Sequence, residues 1–271
     1  MMFSVLLSVY HKETTSFLRQ SLDSIFSQTR LPAEVVLVED GPLTDELFAA
    51  IDEYVKQYDI LKVIPLPQNV GLGVALNEGL KYCTYELVAR MDTDDIAKPD
   101  RFEKQLHVFE NNPDVDVCSA WIEEFIDEPN NIVSIKKVPE KHWEIVKYAQ
   151  KRCPVNHPVV MFRKSSVQIV GGYKHFPLLE DYYLWIRLMI DGAKFYNIQE
   201  SLLYFRASSE MFARRGGWKY LMTEIRFQKL IHEMGFVTFG RLAVNSLIRL
   251  PVRLCPNKLR EFMYTRMLRT E

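Results

Sequence analysis

The chain has 271 residues, 48% of them hydrophobic, and its 34 basic and 35 acidic side chains leave a net charge of −1. That hydrophobic fraction supports a sizeable core and excludes a disordered chain, while the charge balance argues against a nucleic-acid partner. Four widely spaced cysteines form no CxxC pair, no apolar run reaches the roughly 18 residues of a bilayer span, and Met1 to Tyr10 lacks the basic start of a leader peptide, so a cytoplasmic location is expected.

In chain order, Phe3 to Tyr10 is short and apolar, which predicts a buried strand opening a sheet. From Thr15, the residues Phe17, Leu18, Leu22, Ile25 and Phe26 recur at helical spacing, and this helix is expected to stop near Gln28-Thr29-Arg30, before Pro32. Glu34 to Val38 predicts a second strand running into Glu39-Asp40-Gly41-Pro42. Helical spacing returns through Leu47, Ile51, Tyr54 and Val55, and Ile60 to Leu66 predicts a third strand. This β-α-β-α-β rhythm implies a parallel sheet with right-handed crossovers, in which ligands bind beyond the carboxyl ends of the strands.

Asn69-Val70-Gly71-Leu72-Gly73 opens the next helix. Two of its glycines match a dinucleotide fingerprint, but Leu76 stands at the third position and Pro67-Gln68-Asn69 separates the segment from its strand; a glycine-permitted turn packed on the sheet is the better reading. Glu86 to Met91 then predicts a strand that ends in Asp92-Thr93-Asp94-Asp95. Three carboxylates within four positions repel one another unless a cation compensates, and oxygen-only ligands suit Mg²⁺ or Mn²⁺ rather than zinc. A helix through Leu106 and Phe109 follows, ended by Asn111-Asn112-Pro113. Val115 to Ile126 predicts one strand or two, Asp127 to Asn131 a turn, and Trp143, Ile145 and Val146 a short helix.

Taken together, Ser4 to Tyr10, Val38-Glu39-Asp40-Gly41, Asn69-x-Gly71-Leu72 and Arg90-Met91-Asp92-x-Asp94-Asp95 resemble, in that order, the family 2 glycosyltransferases with the GT-A fold. The likeness continues through Cys153 to Arg163, Gly171-Gly172-Tyr173, and Leu179 to Leu188 with its Glu180-Asp181 pair. The fold class it implies is α/β: a mostly parallel, Rossmann-like sheet flanked by helices over residues 1–220, followed by a helical C-terminal extension over residues 221–271.

The resemblance implies transfer of a sugar from a nucleoside diphosphate to an acceptor hydroxyl with inversion, in polysaccharide or surface-glycan assembly. Such a reaction needs charge compensation for the leaving diphosphate, a base for the acceptor hydroxyl, and an in-line arrangement of the two reactants. Asp94, with Asp92 and Asp95, is implied to hold Mn²⁺ or Mg²⁺ and through it the diphosphate, Asp92 alternatively serving the donor side by reaching the ribose or a metal-bound water. Asp40 is implied to accept the N3–H of uracil, which favours a UDP-sugar, and Tyr10, Glu13, Asn69, Gly71, Arg90 and Thr93 complete the donor side. Asp181 is implied to be the catalytic base, with Glu180 next in line, although acids also suit an ordinary helix N-terminus.

His157 and Trp185 fall on the acceptor side of the pattern, yet both also suit structural roles: the histidine lies between Asn156 and Pro158, and the tryptophan lies in a periodic helix with Leu184 and Leu188. After the expected strand Leu202 to Phe205, Arg206 and Arg214 are implied to reach the diphosphate from a loop. Ala207-Ser208-Ser209 stands where the family often has a histidine, which leaves the third protein ligand of the metal open. From Gly240 onward seven bases face two acids among regularly spaced apolar residues. That tail reads either as an amphipathic anchor on the anionic inner face of the plasma membrane, suited to a lipid-linked acceptor, or as a helical pair covering the domain. Two rivals carry less of the pattern: a non-catalytic nucleotide-sugar-binding protein of the same fold, and a HAD-type phosphotransferase, which would need its Asp-x-Asp after the first strand.

Overall fold

In the computed structural model, which describes residues 1–207 and 216–254, the β-α rhythm builds one twisted sheet. Strands β1 (Phe3–Val9), β2 (Glu34–Glu39), β3 (Leu61–Pro65) and β4 (Leu87–Arg90) run parallel in the order β3-β2-β1-β4. β1, β2 and β4 are covered on both faces, which is why they read in the sequence as apolar runs and not as alternations. Next to β4 lies the antiparallel β8 (Met161–Arg163), followed by β6 (Val115–Phe125) and β9 (Lys194–Arg206), which are parallel to each other. β5 (Ile96–Ala97) closes the far edge against β9, and β7 (Ile132–Lys136) pairs with β6. The segment after Val115 is therefore a single 11-residue strand.

Helices α1 (Thr15–Phe26), α2 (Asp45–Gln57) and α4 (Arg101–Asn111) pack on one face of the sheet. On the other lie α3 (Leu72–Tyr82), α5 (His142–Ala149), α6 (Lys164–Ile169) and α7 (Glu180–Ile190). Threonines start the first two: Thr14 Oγ1 accepts from Phe17 N and Thr44 Oγ1 from Leu47 N, satisfying orphan amides at each N-terminus. The period of two along β1 splits its side chains between the layers, with Val5, Leu7 and Val9 in the first core and Leu6 in the second. Gly79 sets the depth of α3 on the sheet, because a Cβ there would lie 2.5 Å from Leu6 and Val38.

The last described residues form two antiparallel helices, α8 (Gly217–Glu233) and α9 (Phe239–Leu254). Phe227 and Ile231 of α8 pack against Tyr182 and Ile186 of α7, so α8 begins before residue 220 and leans on the helix that carries Glu180 and Asp181. α9 is held by polar contacts: Asn245 Nδ2 donates to Gln150 O and Gln228 Oε1, and Arg253 forms a buried pair with Glu224. No helix among the described residues is long and apolar enough to cross a membrane.

Candidate active site

The carboxyl ends of β1, β2 and β4 meet at one rim of the sheet, and β4 delivers the acids. Arg90, its last residue, is 1% exposed and grips Asp92 with both terminal nitrogens, Nη1 donating to Oδ2 at 2.8 Å and Nη2 to Oδ1. Such a bidentate pair fixes the Asp92 carboxylate in orientation as well as charge. Asp92, Asp94 and Asp95 bring carboxylate oxygens to within 4.8 Å of one another. Glu13, from the turn after β1, joins them by accepting from Thr93 Oγ1 at 2.7 Å.

The crowding shows in the acidities. Burial, reinforced by Asp92 and Glu13, pushes Asp94 up to about 7; burial with Asp94 and Asp92 pushes Asp95 well above the carboxylate range, and burial raises Glu13 as well. Asp95 Oδ1 accepts Arg206 N at 2.9 Å, while its buried Oδ2 has no hydrogen-bond partner. An orphaned carboxylate oxygen beside two further carboxylates is an all-oxygen donor set that fits a hard divalent cation. The acids expected to hold Mn²⁺ or Mg²⁺ are thus together, with Glu13 added.

Arg206 differs from its expected role. Its guanidinium lies over the rings of Phe17 and Phe125, and Nε, Nη1 and Nη2 donate to Asp94 O, Asp127 O and Gln20 Oε1. With its nitrogens engaged by the protein, Arg206 braces the backbone under Asp94 and Asp95 and does not extend toward a diphosphate. Arg214 lies outside the described residues.

On the donor side, Asp40 is 3% exposed and accepts from Val70 N at 2.7 Å, Gly71 N at 3.1 Å and Asn69 Nδ2 at 3.0 Å. These contacts use three of the roughly four acceptor positions of a carboxylate, so Asp40 first pins the turn that opens α3 and keeps one position at Oδ1 for a further donor. The backbone after β2 packs closely on that turn and needs a glycine: Gly41 has φ +85°, and a Cβ there would lie 2.4 Å from Asn69 N. Tyr10, at the end of β1, is 38% exposed beside His11.

Across the rim, Glu180 and Asp181 form the first turn of α7, both half-buried. Asp181 Oδ2 lies 3.8 Å from Cys153 Sγ, and burial pushes the Glu180 carboxyl above its ordinary range, making it a weaker acid. Tyr173, from the Gly171-Gly172-Tyr173 segment of the resemblance, is buried within electrostatic reach of Arg90, Asp181 and Asp92. Burial raises its phenol; Arg90 opposes that rise, whereas Asp181 and Asp92 add to it. Tyr173 OH bonds His157 Nε2 at 2.8 Å, and burial together with Arg90 keeps that imidazole neutral. The sequence signal for Tyr173 is the Gly171-Gly172 pair before it. Gly172 has φ +66°, and the turn is clamped by Asn77, which bonds both Tyr173 N and Tyr173 O, and by Arg187 donating to Gly172 O.

Trp185 is corrected from acceptor side to core. It is fully buried, edge-on to His157 and Phe195, and therefore supports His157 from behind instead of offering a sugar platform.

Comparisons with known proteins identify the family and the fold. The description "Glycosyl transferase family 2" matches residues 4–168. The chain is 40% identical over 267 residues, 98% of itself and 96% of the relative, to the UDP-Gal:alpha-D-GlcNAc-diphosphoundecaprenol beta-1,3-galactosyltransferase of Escherichia coli. It is also 40% identical to the amylovoran biosynthesis glycosyltransferase AmsE of Erwinia amylovora, over 97% of this chain and 98% of that one. Among solved structures, S. aureus TarS 1-349 in complex with UDP-GlcNAc superposes with TM-score 0.66 at 17% identity, over 85% of this chain and 66% of that one. The Pyrobaculum calidifontis mannosyltransferase PcManGT, in complex with GDP-Man and Mn²⁺, gives 0.61 at 16% identity, over 97% and 84%. With the family matched across more than half its length and whole-chain relatives at this identity, the protein is a GT-A-fold glycosyltransferase and belongs to glycosyl transferase family 2.

Proposed function

We propose that the protein transfers a hexose or N-acetylhexosamine from a UDP-sugar to a hydroxyl of a lipid-linked glycan acceptor, with inversion, in bacterial surface-polysaccharide assembly. The observation that supports this reading is the acid cluster itself: Asp92, Asp94 and Asp95 crowded together and largely buried at the end of β4, with an orphaned oxygen on Asp95. Asp94, Asp92 and Asp95 would hold Mn²⁺ or Mg²⁺, which when bound supplies charge compensation to the leaving diphosphate.

The chain's own residues do the rest. Arg90 orients Asp92; Asp40 takes the uracil N3–H with its remaining lone pair and holds Asn69 and Gly71 against the nucleotide. Asp181 removes the proton of the acceptor hydroxyl, with Glu180 as the alternative base. Neutral His157 and Tyr173 form the floor under the acceptor. The UDP-sugar preference and the lipid-linked acceptor are supported by the whole-chain likeness to the E. coli enzyme, whose name carries both. An acceptor in a bilayer also makes an anionic membrane surface a natural partner of the C-terminal helices.

The test is a thermal-unfolding screen of UDP-glucose, UDP-galactose, UDP-GlcNAc and GDP-mannose, each with and without Mn²⁺. A ligand at 100 times its Kd stabilises the folded state by about 2.7 kcal/mol, which is readily seen as a raised Tm. A UDP-sugar should protect only with metal. Protection by GDP-mannose alone would overturn the donor assignment, and metal-independent protection would overturn the role of the acid cluster.

A further inference from the structure

Helix α9 turns its polar side inward. Asn245, Arg249 and Arg253, four residues apart, face the domain: Asn245 bonds Gln150 O, Arg249 donates to Lys151 O at 2.5 Å, and Arg253 is locked to Glu224. The outward stripe at the same spacing is Val244, Leu247, Ile248 and Pro251. Leu247 is 71% and Ile248 62% exposed, and Phe239 at the start of the helix is 71% exposed. A surface helix normally does the reverse, and a contiguous apolar stripe held out in solvent marks a surface that is covered in use.

We propose that α9 is a membrane-docking helix: it lies in the plane of an anionic leaflet, with Val244, Leu247, Ile248 and Pro251 in the acyl boundary and its polar side latched to the catalytic domain. Charge selects lipid over a second protein copy. Between Glu233 and Glu261 the sequence contains no acid, and besides the inward-facing Arg249 and Arg253 it carries Arg241, Lys258 and Arg260. Lys147, Lys151 and Arg152 are exposed on the neighbouring end of α5, to which α9 is tied through Lys151 O. At 16 residues with three arginines, α9 suits the interface and not a transmembrane path.

The docking face also connects to the crevice. Lys151 is followed two residues later by Cys153, whose sulfur lies 3.8 Å from Asp181, so the anchor and the acceptor-side carboxylate share one short segment. An acceptor carried on a lipid would then reach Asp181 from the surface on which α9 rests. This last step rests on the lipid-linked acceptor proposed above; the docking itself does not.

The test is co-sedimentation of the full chain with vesicles of phosphatidylglycerol and phosphatidylcholine, against phosphatidylcholine alone. The wild type should sediment with the anionic vesicles and be released by high salt. The double variant Leu247→Glu, Ile248→Glu should bind at least tenfold more weakly at unchanged Tm. Wild-type protein that stays in the supernatant, or a double variant that sediments equally well, overturns the proposal; so does a wild-type dimer that the variant converts to monomer, which would give the stripe to a second copy. UDP-sugar protection measured on the same samples separates the two readings: it should survive in the variant, and its absence from a wild type that still sediments would count against the donor assignment alone.

Discussion

Asp94→Asn and Asp181→Asn act at opposite ends of the crevice and should separate cleanly. The first removes one oxygen ligand from the acid cluster and is expected to abolish metal-dependent protection by a UDP-sugar. The second should retain that protection while turnover falls by about 10²- to 10⁴-fold, the usual range for loss of a general base; wild-type-like turnover would exclude Asp181 as the base. At Gly172 the constraint is steric. A Cβ there would lie 2.3 Å from Asn77 Oδ1 at a positive φ, so Gly172→Ala should cost about 1–3 kcal/mol by thermal denaturation and displace Tyr173. At Glu34, burial opposes ionisation, yet hydrogen bonds from Lys62, Ser4 and Thr84 outweigh it and hold the carboxyl at about 2, below its ordinary 4.5. The stability this contributes is present above pH 4.5 and is lost as pH falls toward 2. Glu34→Gln should therefore lower stability by about 1–3 kcal/mol at pH 7, and the gap to wild type should narrow as the solution is acidified through that window.

Among the elements, α8 and α9 are joined less by apolar packing than by charge. Glu224, Arg249 and Arg253 are 9%, 14% and 10% exposed, and removing one partner of a buried pair costs about 3–5 kcal/mol. Glu224→Gln is thus expected to raise hydrogen exchange throughout α9 while α1 to α4 keep their protection. Strand β9 ends in a second polar anchor, Arg206, whose guanidinium donates to Asp94 O and whose amide donates to the Asp95 carboxylate. Arg206→Ala should weaken metal-dependent donor protection without abolishing it, since it loosens the cluster and removes no carboxylate. The long helices and buried strands were legible from periodicity, and the boundaries of α1, α2, α4 and β2 fall within a few residues of expectation. The two-residue β5, the edge strand β7 and the six-residue α6 were not, because segments so short span too few repeats to carry a period.

For the whole molecule, chelation is the sharpest check: EDTA should leave the Tm of the free protein in place and remove the Tm rise produced by a UDP-sugar. Residues close in sequence, such as Asp92, Asp94 and Asp95, could be grouped in advance because one strand end presents them together whatever the rest of the chain does, whereas Glu180 and Asp181 were singled out only by the family resemblance. The apolar strands likewise announced a sheet covered on both faces, since a central strand can carry few polar side chains. What only the tertiary structure decided are contacts between distant segments. Tyr173 meets His157 because Asn77 and Arg187 clamp its turn; Arg206 braces a backbone more than a hundred residues away; Trp185 backs His157 from the core; and α9 presents its apolar side outward. Helical spacing determined that α9 would be two-sided. Which side meets the protein was set by where Glu224 and the carbonyls of Gln150 and Lys151 came to rest, because a buried arginine must follow its partner.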